Sequence, residues 1–146
     1  MSMHTTPAIT SRIRLRLGQA DAHYGGELID AAFVLRVFGD LATEIGVRSC
    51  GDEGLLSEYT GLRFTAPLRP GDFIEATAEL KLRSRLRCLV GFTAHKVISA
   101  RYDLGPSRAE VLDQKVLVCE GQGTLVLPWA AVSESSARTG RAGAGR

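Results

Sequence analysis

The run Asp21-Ala22-His23-Tyr24-Gly25-Gly26 sets a carboxylate, an imidazole and a phenol beside two consecutive glycines, just ahead of a long apolar stretch. An acid, a base and a proton donor crowded together are the equipment of proton transfer. If the apolar stretch is a helix, its first turn presents unpaired N–H groups and the positive end of the dipole. Glycines there let a ligand atom come close to the backbone. The combination suits an oxygen that gains negative charge, such as a thioester oxygen becoming an enolate. The same residues also serve ordinary capping: Asp21 bonding a backbone N–H, the two rings packing, the glycines making a turn.

Three further groups carry chemical side chains. Asp40 and Glu44 are four residues apart and share a helix face, in the half where the dipole disfavours negative charge. Arg36 can pair with Asp40 and Arg48 with Glu44, which reads as a structural ion-pair network at the helix end. The functional counterpart is a carboxylate that holds a substrate ammonium. Glu44 lies roughly 27 Å along a straight helix from Gly26, so only a second subunit could bring it to the first site. Glu58-Tyr59 heads a strand-like run, where Tyr59 is either an edge aromatic or a hydrogen-bond donor to a reacting group. Arg83, Arg85 and Arg87 read as a solvated hairpin. The histidines His4, His23 and His95 are far apart, and no metal-ligand spacing, nucleophile elbow or phosphate-binding loop appears.

The elements that must position these groups follow from periodicity. Residues 11–17, SRIRLRL, alternate strictly as a half-buried strand. From Glu27 to Gly46, Leu28, Ala31, Ala32, Leu35, Phe38, Ala42 and Ile45 recur at spacings of three and four, a wide apolar helix face. Twenty residues reach ~30 Å, about the width of a domain, so this helix belongs in the core. Strand-like runs follow at 55–66, 73–82, 87–98 and 115–127, with a Pro-Gly-Asp turn before the second and a long loop expected over 100–114. Gly121 and Gly123 suggest a bulge or bend. One helix placed early among five strands is an α+β layout. A curved antiparallel five-stranded sheet wrapped around one long central helix is the hot-dog fold.

The chain has 146 residues and a net charge of +2, with 45% hydrophobic and 23% charged residues. That is the composition of one globular domain and gives no electrostatic footprint for nucleic acid. The expected domain spans 11–132, between a loose arm at 1–10 and a small, basic, disordered tail at 133–146. Cys50, Cys88 and Cys119 are odd in number and widely spaced, which reads as reduced, buried thiols. No stretch has the length of a membrane span and the first ten residues lack a signal's apolar core, so a soluble cytoplasmic protein is expected.

Taken together, ADAHYGGELIDAA, FGDLATE, GDEGLL and YTGLRFTAPLRPGDFIEA resemble the hot-dog ammonia-lyases that act on 3-aminobutyryl-CoA and β-alanyl-CoA. The match runs from about Leu15 to Lys96, and more weakly through VLVCEGQGTLVL. The resemblance implies elimination of ammonia from a 3-aminoacyl-CoA to give a 2-enoyl-CoA, and no metal or organic cofactor, coenzyme A being part of the substrate. It also implies a homodimer with sites at its interface, assembled as a trimer of dimers. It carries over to Asp21, His23, Tyr24, Gly25, Asp40, Glu44, Tyr59, Phe64 and Pro67. The mechanism that fits has Asp21 or His23 as the base and Tyr24 or Tyr59 positioning the thioester or assisting proton transfer. Gly25 and Gly26 bind the enolate oxygen, with Glu44 and Phe64 as further substrate contacts. The competing expectations are an acyl-CoA thioesterase on the same fold and a non-catalytic acyl-CoA-binding protein.

Overall fold

The computed structural model describes residues 8–129. Strand β1 (Thr10–Arg16) is followed by a 3-10 turn (Gln19–Asp21), helix α1 (Ala31–Cys50) and strands β2 (Leu55–Phe64), β3 (Phe73–Arg83), β4 (Arg87–Ala100) and β5 (Ala109–Val126). The strands form one antiparallel sheet in the order β1-β3-β4-β5-β2, left open with β1 and β2 at its edges. Helix α1 packs against this sheet, the expected hot-dog layout. Most of the expected arm, residues 1–7, and the whole expected tail, 133–146, lie outside the described residues.

Period decides which side chains meet. Ile74, Ala76 and Ala78 of β3, then Cys88, Val90, Phe92 and Ala94 of β4, are buried at every second position. Helix α1 answers with Val34, Val37, Phe38, Leu41, Ala42 and Ile45, on one face at helical spacing. Phe38 and Phe92 stack with centroids 4.8 Å apart, joining helix to sheet at the centre of the core. Each fully buried side chain of this size contributes about 1.5–3 kcal/mol.

The helix begins four residues later than its apolar periodicity suggests and ends four later, at Cys50 rather than Gly46. The start is fixed by Asp30, whose side chain accepts a hydrogen bond from the Phe33 N–H, and the end by Gly51 in the left-handed region (φ 75). Leu28 and Ile29, counted into the helix by spacing, belong to a hairpin ahead of it, where Ala22 and Ile29 form an antiparallel bridge.

The loop expected over 100–114 is also shorter. β4 runs on to Ala100, β5 starts at Ala109, and a turn at 101–108 joins them. Arg101 bonds Asp103 and Glu110, and its N–H donates to the Arg108 carbonyl, so the charges that suggested a loop are the clasp of a hairpin. The irregularity expected at Gly121 and Gly123 sits opposite them, in β2, between Leu56 and Glu58 and between Thr60 and Arg63. The glycines give room instead: a Cβ on Gly121 would lie 2.6 Å from Leu62 and one on Gly123 2.8 Å from Phe92.

Candidate active site

The hairpin between the 3-10 turn and α1 holds four of the residues picked out by type, His23, Tyr24, Gly25 and Gly26, and Asp21 closes the 3-10 turn just before it. The His23 and Tyr24 N–H groups both donate to the Leu28 carbonyl, and the Glu27 N–H closes a turn onto the Tyr24 carbonyl at 2.8 Å. Gly25 and Gly26 occupy the tip of that turn, not the first turn of the helix. Neither has a positive φ; the left-handed residue is Glu27 (φ 60), which costs a non-glycine residue ~1 kcal/mol or more. What the glycines offer is access. A Cβ at either would meet nothing within 4 Å, and their N–H groups bond no backbone carbonyl. Backbone amides left without a carbonyl partner at a turn can donate to an incoming anion.

The two bases proposed from sequence differ in their surroundings. Asp21 is committed to local structure, its Oδ2 accepting from the Gly18 N–H at 2.9 Å. His23 is exposed, its Nδ1 lies 3.9 Å from Oδ2 of Asp30, and the Tyr24 ring stands edge-on to it at 5.0 Å. A cleft of about 270 Å³ opens beside this hairpin, lined by Gly26, Glu27, Arg69, Pro70, Tyr102 and Asp103. The Tyr102 ring is seated against Gly71 (φ 94), where a Cβ would fall 2.2 Å from the phenol oxygen, so only glycine lets it lie there. Asp72, almost fully buried, holds this wall by accepting from the Arg69 and Ala100 N–H groups. The neighbouring Leu68 carbonyl accepts from Ile29 in the hairpin.

The other candidates stand apart. Tyr59 on β2 donates its hydroxyl to the Leu35 carbonyl, one turn into α1, at 2.6 Å, and packs edge-on to Phe92. Burial, then the charge of Asp40 and then Cys119, push the phenol pKa up, so it remains a proton donor at neutrality. Glu44 is held by Arg48 at 3.4 Å, the expected pair. It stands thirteen residues beyond Ala31, roughly 20 Å along the helix. Arg36 does not pair with Asp40; its guanidinium lies over the Phe33 ring at 5.4 Å. Phe64 is exposed at the end of β2. A larger open depression of about 1010 Å³ is lined by Arg12, Glu75, Thr77, Thr93 and Gln122 and includes Glu44, but none of the hairpin residues. Arg83 donates to the Ser49 carbonyl and Arg85 lies over the Trp129 ring.

Sequence reasoning missed Asp30. The signal was present: Asp30 precedes Ala31-Ala32-Phe33 and is the one Asp, Asn, Ser or Thr between Ala22 and Gly39. Starting the helix at Glu27 had hidden it inside the first turn.

One helix against an open five-stranded antiparallel sheet, with a polar hairpin at the head of the helix, defines a hot-dog protein. No protein-family model matches the chain. Over 118 residues, 81% of this chain and 94% of the relative, it is 40% identical to a protein from Acetoanaerobium sticklandii named 3-aminobutyryl-CoA ammonia lyase. It superimposes with a TM-score of 0.82 on β-alanyl-CoA:ammonia lyase from Clostridium propionicum, at 28% identity, across 86% of this chain and 90% of that one. A hexameric thioesterase from Yersinia pestis shares the fold at a TM-score of 0.64 and 12% identity, over 80% of this chain and 84% of that one. The chain belongs to the hot-dog family of 3-aminoacyl-CoA ammonia lyases, carbon–nitrogen lyases.

Proposed function

We propose that this protein eliminates ammonia from a short 3-aminoacyl-CoA thioester, 3-aminobutyryl-CoA or β-alanyl-CoA, to give the 2-enoyl-CoA, and catalyses the reverse addition. The observation that carries this is the 40% identity to a lyase of that name over 81% of the chain. In the reaction His23 takes the C2 proton. The C–H electron pair moves into the thioester, whose oxygen is held by the Gly25 and Gly26 amides. One donor of this kind is worth ~3–4 kcal/mol to a developing oxyanion. The enolate then re-forms its carbonyl as the C2–C3 double bond forms and the bond from C3 to its ammonium nitrogen breaks, the electron pair leaving on nitrogen as neutral ammonia. Ammonia departs and the proton remains on His23.

His23 is preferred to Asp21 because the Asp21 carboxylate already holds the Gly18 amide. Tyr24 packs against the base, and Tyr59 ties β2 to the helix through the Leu35 carbonyl rather than moving a proton. Glu44 and Phe64 contribute to substrate binding only from a second copy of the chain. We place the site at a homodimer interface, in a trimer of dimers. The unpaired edge of β2 and the hexameric fold relative support this assembly. A sedimentation measurement giving only monomer at micromolar concentration would overturn it. The chemistry uses no metal and no organic cofactor, so chelation should leave turnover intact. The buried free thiols of Cys50, Cys88 and Cys119 support a reducing, cytoplasmic setting.

The test is incubation with each of the two thioesters, following enoyl absorbance, ammonia and free thiol. The lyase gives enoyl absorbance and ammonia in equal amounts and no thiol. Release of coenzyme A thiol without enoyl product makes the protein a thioesterase instead.

A further inference from the structure

We propose that Asp30 is a positioning residue for His23: its carboxylate fixes the imidazole's tautomer and stabilises the imidazolium formed on proton abstraction. The inference rests on the reading of His23 as the base. The two oxygens of Asp30 face different partners. Oδ1 accepts from the Phe33 N–H at 3.2 Å, the cap of α1, and Oδ2 lies 3.9 Å from His23 Nδ1. The cap bond holds the carboxylate, so Oδ2 is presented to the imidazole by the helix itself.

Seven residues of sequence separate the pair, and the Ala22–Ile29 bridge with the His23 N–H to Leu28 carbonyl bond brings the chain back to close that gap. The carboxylate is the sheltered partner, its side chain 28% exposed against 65% for the imidazole, so the ring is the member of the pair that an incoming molecule can reach. Around His23, the Tyr24 ring stands edge-on, Asp21 is turned to Gly18, and Asp30 is the charged side chain within 4 Å among the described residues.

A neutral imidazole carries its proton on one nitrogen, and an anionic acceptor beside Nδ1 keeps it there, leaving the Nε2 lone pair as the base. The separation exceeds a hydrogen bond by under 1 Å, and such bonds commonly tighten when substrate binds. Capping alone is served as well by Ser or Asn. The second oxygen facing the imidazole is what capping leaves unused.

Asp30→Ser keeps the cap and removes the carboxylate. With 3-aminobutyryl-CoA or β-alanyl-CoA as substrate, the expected result is a kcat about tenfold to hundredfold below wild type, with KM within about threefold. Tm should stay within a few degrees. Nitrogen-15 spectra of labelled histidine should show His23 protonated on Nδ1 in the wild type and shifted toward the Nε2 tautomer in the variant, which a purely structural role would not produce. Asp30→Asn, nearer in shape, should show the same loss of kcat, because it lacks the charge, and serves if the serine variant folds poorly. Unchanged kcat and an unchanged tautomer in a folded variant overturn the proposal. The reference is His23→Ala. If it retains turnover, the assignment of the base fails and this proposal with it. If it is inactive while Asp30→Ser is fully active, only the role of Asp30 fails.

Discussion

At the scale of single residues, the hairpin separates two side chains that look equivalent in the sequence. Asp21 and His23 are both plausible proton acceptors by type, but Asp21 faces the Gly18 amide while His23 faces solvent and Asp30. Asp21→Asn preserves an acceptor for that amide, so melting temperature and turnover should both stay near wild type. His23→Ala should lower kcat by about 10²–10⁴ with little change in stability. Steady-state kinetics with thermal melts of the two variants checks this, and loss of turnover in Asp21→Asn at an unchanged melting temperature would move the base to Asp21. His95, half-buried in β4, sets a pH effect of its own. Burial first, then Lys115, hold its imidazole below the ordinary value, against an opposing pull from Glu75 and Glu120. The unfolded chain therefore takes up the proton at a higher pH than the folded one. Above the ordinary value of about 6.5 both are neutral and pH has no effect through this group. As pH falls through 6.5 toward the depressed folded value, stability is lost. Melting temperature measured from pH 8 down to 5 should fall more steeply in wild type than in His95→Gln.

At the scale of elements, the long helix and the strands were legible because their periods are long and regular. The alternation of Ile13 and Leu15 with three arginines became β1, with Leu17 buried just past its end, and the spacing of Leu35, Phe38, Ala42 and Ile45 became the packed face of α1. Boundaries were not legible from period alone. Leu28 and Ile29 keep helical spacing yet sit in a hairpin, because a side-chain acceptor at Asp30 decides where the helix begins. The charged segment 100–114 reads as a loop because its pattern cannot reveal that Arg101 pairs with Asp103 and Glu110. The hairpin itself was legible only as a set of residue types; which of them meet is fixed by bonds between residues several positions apart. Gly46 makes a point about glycine within a helix. A Cβ there would lie 2.6 Å from the Asp52 carbonyl oxygen and 2.9 Å from Leu125. Gly46→Ala would gain about 1 kcal/mol of helix propensity, but overpacking against backbone costs about 1–3 kcal/mol. Chemical denaturation should show a net loss, with the midpoint lowered and the slope unchanged.

At the scale of the whole molecule, the core runs unbroken from β1 through the helix to β5, and Cys50, Cys88 and Cys119 are distributed along it. Burial drives the thiol of Cys119 up to about 11 and that of Cys88 above its ordinary value, with the charge of Glu120 adding to the first. Thiolate, the reactive form, is therefore scarce for these two at neutrality, and all three cysteines are buried in the folded state. The three sulfurs thus act as internal witnesses to opening of the fold. An aromatic disulfide reagent at pH 7 should leave all three untouched over minutes in native protein and titrate all three at once in denaturant. The slow native rate then measures how often the molecule breathes, without any residue being substituted.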